Sequence, residues 1–185
     1  MRVLGISGSL RSGSYNSMLL RAAGELLPND VELEIWDGLK AVPPYDEDDD
    51  TELAPAAVTR LRDAIAGADA LLFATPEYNS SIPGQLKNAI DWASRPIATN
   101  VLRNKPVAVM GASTGAFGAV WSQAELRKVL AATGARVADA EVAVGHAHEH
   151  FDGEGRLTGD ELRDQLREVV DTLLADAQPR MSVAA

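Results

Sequence analysis

Arg2-Val3-Leu4-Gly5-Ile6-Ser7 leads into Gly8-Ser9-Leu10-Arg11-Ser12-Gly13-Ser14-Tyr15-Asn16-Ser17 and then Met18-Leu19-Leu20-Arg21-Ala22-Ala23. An apolar, β-rich run passes through a Gly/Ser-rich loop into a helical pattern. The same alternation continues to the end of the chain. Strand patterns fall at 2–7, 31–36, 70–75, 106–111 and 136–144. Helix patterns fall at 16–26, 52–66, 83–94, 119–133 and 159–177. Strands that alternate with helices in this way predict an α/β fold, a parallel sheet covered on both faces. Leu71-Leu72-Phe73-Ala74 and Val107-Ala108-Val109-Met110 are unbroken apolar runs, as central strands buried on both sides require.

The 185 residues are enough for one well-buried domain. No repeat or linker divides them, so one domain is expected over 1–177, with 178–185 a flexible tail. The acidic insert Pro43-Pro44-Tyr45-Asp46-Glu47-Asp48-Asp49-Asp50 reads as a solvated loop whose acids favour the next helix N-terminus. Thr158 and Glu161 have capping-box spacing before the last helix.

Composition narrows the function. There is no cysteine, which excludes disulfides, thiolate metal sites and a cysteine nucleophile. A net charge of -10 disfavours nucleic acid, whose binding needs cations against phosphates. Any phosphate site must therefore rely on local dipoles and hydrogen bonds. No apolar run approaches the ~20 residues of a membrane span. The N-terminus lacks the features of a signal peptide, so a cytoplasmic location is expected. The run Gly5-Ile6-Ser7-Gly8-Ser9 does not fit the Gly-x-Ser-x-Gly nucleophile turn.

The loop after the first strand is an anion cradle by type, since backbone N–H groups converge there with a helix N-terminus. Gly8 and Gly13 have Walker A spacing, but Ser14-Tyr15 follows where the lysine belongs. The dinucleotide fingerprint is absent too. Instead Ser9, Ser12, Ser14 and Ser17 supply hydroxyls, with Arg11 and Asn16 beside them. That set favours a single phosphate monoester over a triphosphate. The stretch also reads as an ordinary Ser/Gly turn before a capped helix.

Ligands of open parallel sheets sit beyond the carboxyl ends of the strands. Two more loops belong there: Pro76-Glu77-Tyr78-Asn79-Ser80-Ser81-Ile82-Pro83-Gly84 and Gly111-Ala112-Ser113-Thr114-Gly115-Ala116-Phe117-Gly118. Both expose backbone amides and tolerate the close approach of a flat heteroaromatic ring.

Together, Gly8-Ser-Leu-Arg-x-Gly-Ser-x-Asn16, Pro76-Glu-Tyr-Asn79 with Pro83-Gly-x-Leu-Lys-Asn-Ala-Ile-Asp-Trp92, and Gly111-x-Ser-x-Gly-x-x-Gly118 resemble the NAD(P)H-dependent FMN reductase family. That family includes bacterial chromate, quinone and azo-dye reductases. The resemblance covers about 2–144 and implies a flavodoxin-like fold with sheet order 2-1-3-4-5, bound FMN and a homodimer or homotetramer. It implies that Ser9, Arg11, Asn16 and Ser17 hold the FMN phosphate. Pro76, Glu77, Tyr78 and Asn79 would border the ring, largely through backbone groups. Ser113, Thr114 and Gly115 would close its other side. Glu77 also reads as a carboxylate capping backbone amides. Trp92 reads as core or subunit interface. Some tetrameric relatives carry an arginine and a tyrosine where this chain has Trp121 and Ala124, which favours the dimer.

The expected reaction is ping-pong hydride transfer from NADPH or NADH to FMN N5. Electrons then pass to a small-molecule acceptor: a quinone, chromate, an azo dye or a similar compound. The alternative is a flavodoxin-type electron carrier serving protein partners. Carriers usually set aromatics on both ring faces, whereas these loops supply only Tyr78 and Phe117. His146, His148 and His150 alternate, which on an extended segment would place three imidazoles on one face. A polar segment after the last strand is the reading preferred over a metal site.

Overall fold

Each strand turns alternate side chains to opposite faces of the sheet, so an all-apolar strand feeds two cores. The computed structural model describes residues 1–178. Its strands are β1 (Arg2–Ser7), β2 (Glu32–Trp36), β3 (Ala70–Thr75), β4 (Pro106–Ala112), β5 (Arg136–Val137) and β6 (Ala143–Val144). Its α-helices are α1 (Tyr15–Gly24), α2 (Ala56–Gly67), α3 (Gly84–Ala93), α4 (Val120–Ala132) and α5 (Asp160–Ala177). The order is β2-β1-β3-β4-β5 with β6 also on β4, every pair parallel. This is the flavodoxin-like order that the family resemblance implies.

Leu72, Ala74 and Met110 face α1 and α5, packing with Leu19, Leu20, Val169 and Val170. Leu71, Phe73, Val107 and Val109 face the other way, against Leu61, Leu86, Ile90 and Leu126 of α2, α3 and α4. Trp92 is fully buried in this second core, where its indole N–H donates to the Pro43 carbonyl at 2.9 Å. Among the described residues, no helix is long and apolar enough to cross a membrane.

Three expectations need correction. The run 136–144 is not one strand. Arg136 and Val137 pair with Pro106 and Val107, and Ala143 and Val144 pair with Gly111 and Ala112. Only positions 108–110 of β4 lie between those pairs, against positions 138–142 on the partner, so the longer segment leaves the ladder. Arg127 of α4 fills the gap, donating to the carbonyls of Ala138 and Ala140, both at 2.5 Å.

The acidic insert does not serve the N-terminus of α2. That helix starts at Ala56, after Pro55, with no acid in its first turn. Asp50 instead pairs with Arg62 at 2.8 Å, and the Arg62 guanidinium lies 5.7 Å from the centre of the Trp92 ring. The capping box of α5 is not formed either. Gly159 is the N-cap, at φ 89° and without a side-chain cap, while Asp160 and Glu161 favour the helix dipole. The expected tail lies outside the described residues except for Gln178, whose amide donates to the Leu174 carbonyl at 3.2 Å.

Candidate functional site

The carboxyl ends of β1, β3 and β4 open onto a cavity of about 200 Å³. Enclosed small-molecule sites measure roughly 300–1,000 Å³, so a ligand here keeps one side open to solvent. A larger hollow of about 380 Å³ lies beside Ser94, Asn100 and Gly134, where the chain enters β4 and β5 at the opposite sheet edge. Strand polarity, rather than volume, picks out the site.

The first wall is the loop before α1. Ser14 caps that helix, its hydroxyl accepting from the Ser17 amide at 3.3 Å. Among the described residues, the amides of Ser12, Gly13, Ser14, Tyr15 and Asn16 have no protein acceptor. Five successive free donors running into a helix N-terminus form a strong local anion trap in a protein of net charge -10. Arg11 adds a cation, held by donation to the Gly13 carbonyl at 2.6 Å.

Asn16 is committed differently from its sequence expectation. Its side chain is 3% exposed and ties α1 to β4. Nδ2 donates to the Ala112 carbonyl at 2.9 Å, and Oδ1 accepts from the Ala112 amide at 3.0 Å. Its backbone amide is left free, and its side chain is taken up by β4. The pairing also locks the end of β4 against the start of α1.

The second wall follows β3. Tyr78 and Ser81 exchange two backbone hydrogen bonds at 3.1 Å, with Asn79 and Ser80 at φ 53° and 59° between them. Two left-handed central residues make this a tight two-residue hairpin. Glu77 performs the capping role. Its carboxylate accepts from the amides of Trp121 and Ser122, at 3.1 and 3.2 Å, in the first turn of α4. The Glu77 backbone amide has no acceptor among the described residues. Tyr78 lines the cavity and is 55% exposed, while Phe117 in the β4 loop and Trp121 in the first turn of α4 are 63% and 49% exposed. Phe117 and Trp121 meet edge to face, centroids 5.1 Å apart.

The third wall follows β4. Ser113 Oγ accepts from the Gly115 amide at 3.1 Å, so that amide is already used, while that of Thr114 has no acceptor among the described residues. Behind this loop, the amides of His146 and Ala147 donate to the carbonyls of Gly115 and Ser113 at 2.9 and 3.0 Å. Gly118 and Gly145 permit that approach. A Cβ on Gly118, at φ 58°, would collide with the Ala143 carbonyl group, and one on Gly145 with the Ala116 carbonyl.

Of the sequence candidates, Ser9, Arg11, Asn16, Pro76, Glu77, Tyr78, Ser113 and Thr114 line one cavity. Ser17, Asn79 and Gly115 stand behind its walls, in the first turn of α1, the hairpin and the β4 loop. Ser14, already named among the loop hydroxyls, lines it too, and Tyr15 and Ala112 join without having been singled out. The N-cap preference of serine is a further signal for Ser14. Nothing local in the sequence marks the other two. The histidine alternation is not extended backbone: His146 is left-handed at φ 44°, and Ala147–Glu149 is a 3-10 turn. Among the described residues, no three acidic or histidine side chains converge as a metal site.

Residues 1–149 match the family described as NADPH-dependent FMN reductase. An NAD(P)H-dependent FMN reductase from Pseudomonas aeruginosa is 46% identical over 174 residues, 94% of this chain and 93% of that one. A 2-hydroxy-1,4-benzoquinone reductase from Burkholderia sp is 35% identical over 181 residues, 97% of this chain and 98% of that one. The solved structure of FerB, a flavoenzyme NAD(P)H:(acceptor) oxidoreductase from Paracoccus denitrificans, aligns with a TM-score of 0.86 at 36% identity. That alignment covers 95% of this chain and 96% of the FerB chain.

Proposed function

The chain belongs to the NADPH-dependent FMN reductase family, and from that membership we propose an FMN-dependent NAD(P)H oxidoreductase whose acceptor is a quinone. The observation that carries the reading is the run of unpartnered amides from Ser12 to Asn16, of which Ser14, Tyr15 and Asn16 line one cavity with Glu77 and Thr114, whose amides are also free.

The donors fit the cofactor. Five amides, Arg11 and the hydroxyls of Ser9 and Ser14 suit a terminal phosphate. Ser17 orders this set by bonding to Ser14, and Asn16 by fixing the start of α1. Pro76, Glu77, Tyr78 and Asn79 would border the ring on one side, and Ser113, Thr114 and Gly115 on the other. Glu77 serves through its backbone, because its carboxylate is occupied by α4. The chemistry that FMN supplies when bound is electron transfer from NADPH or NADH to the acceptor. The protein binds and orients, and its amides favour negative charge at the ring edge. No side chain in the cavity is assigned as a proton donor.

Because the site opens on one side, dinucleotide and acceptor take turns there. Chromate and azo dyes are further acceptors of the same open face. A homodimer would cover Tyr78, Phe117 and Trp121, and a cytoplasmic location suits a dinucleotide-dependent enzyme. Initial rates with NADPH and a benzoquinone both varied test the proposal. Parallel double-reciprocal lines are expected, with the quinone turned over faster than chromate. Intersecting lines would refute the shared face, and absence of turnover by FMN-saturated protein would refute the activity.

A further inference from the structure

We propose that the hairpin after β6 braces the phosphate loop, making Tyr15 and Phe151 positioning residues for a phosphate monoester held beside Arg11. The proposal rests on the FMN reading above and extends it to two aromatic side chains that donate nothing to the phosphate.

A surface arginine is a poor anion ligand while it samples many rotamers, because ordering it costs entropy. Arg11 is held in two ways. It donates to the Gly13 carbonyl at 2.6 Å, and its guanidinium lies 5.7 Å from the centre of the Tyr15 ring, within cation–π range. Tyr15 is the first residue of α1, so its backbone turns with the free amides while its ring supports the arginine. Behind it, the Phe151 ring lies 5.6 Å away at an interplanar angle of 31°. Arg11, Tyr15 and Phe151 thus form a stack running from the cavity rim to the body of the protein.

Phe151 is itself fixed. It bridges to Leu157 across a hairpin, and Leu157 is 2% exposed in the α1–α5 core. At the tip, Asp152 Oδ1 accepts from the amides of Glu154 and Arg156, both at 2.9 Å. Gly155, at φ 78°, is seated so close to α1 that a Cβ there would lie 3.3 Å from Met18 Cγ. Just upstream, His146 and Ala147 hold the β4 loop. One segment therefore supports both the phosphate side and the ring side of the cavity. The hairpin starts just past residue 149, where the family match ends.

The stack predicts an effect specific to the phosphate. Apoprotein is titrated with FMN and with riboflavin, which lacks the phosphate, by quenching of flavin fluorescence. Phe151→Ala is expected to raise the FMN dissociation constant by about three- to ten-fold, the scale of one cation–π contact, and to leave that of riboflavin unchanged. Phe151→Leu keeps apolar bulk without a ring and should show the same selective loss; it alone is read if the alanine variant does not fold. Equal weakening of both flavins would make Phe151 a packing residue only and overturn the proposal. Unchanged FMN affinity would overturn it as well. Arg11→Ala separates the two claims. Selective FMN loss in Arg11→Ala but not in the Phe151 variants sinks the brace and leaves the phosphate reading standing. If Arg11→Ala shows no selective loss, both fail.

Discussion

Ser81 donates its hydroxyl hydrogen to Glu125 Oε2 at 2.5 Å, and the Ile82 amide donates to the same oxygen at 3.3 Å. The Ser81 hydrogen bond, followed by that from Ile82, holds the Glu125 carboxyl below its ordinary value of 4.5 despite some opposing desolvation. A depressed folded-state pKa stabilises above the unfolded value and stops doing so as pH falls through the folded one. Ser81→Ala should therefore lower the urea midpoint slightly near neutral pH, and the difference should vanish on acidification. An equal difference at every pH would show that the hydroxyl acts only by packing. The effect is small because Glu125 is exposed. At this scale the sequence was partly legible. Glu77 as a helix cap was one of two readings that its position allowed, and the amides of Trp121 and Ser122 decide between them. Asn16 stands in the first turn of α1, and its tie to Ala112 joins positions far apart in sequence that no local pattern announces.

Elements marked by long apolar periodicity were readable to within a few residues. β1 and β3 have their expected limits, because burial on both faces leaves little choice of residue type. The exceptions are settled by tertiary contacts. Residues 136–144 have strand composition throughout, yet β5 and β6 are separated by a segment too long for its place on β4. Arg127 stabilises that detour with a fork on two carbonyls. Arg127→Lys, which offers no such fork, should cost about 1–3 kcal/mol in urea unfolding. A cost indistinguishable from zero would mean that the detour holds without the fork. Thr158 and Glu161 have the right spacing for a cap, but Gly159 turns the chain at φ 89° and takes the N-cap position itself.

At the scale of the whole molecule, fold and site are two consequences of one arrangement. A parallel sheet with helices on both faces brings the loops after β1, β3 and β4 to one edge. Three motifs separated by tens of residues could therefore be assigned to one site before their contacts were known. The brace from 151 to 157 was not legible, since its argument depends on ring positions. Net charge of -10 makes the local amides matter more, because the overall field opposes an anion. The central claim is that this edge holds FMN and thereby oxidises NAD(P)H. It is tested by following NADPH oxidation by a benzoquinone while apoprotein is titrated with FMN. The rate is expected to rise from background and to saturate as FMN fills one site per chain. A rate that stays at the protein-free background at every FMN concentration would contradict it.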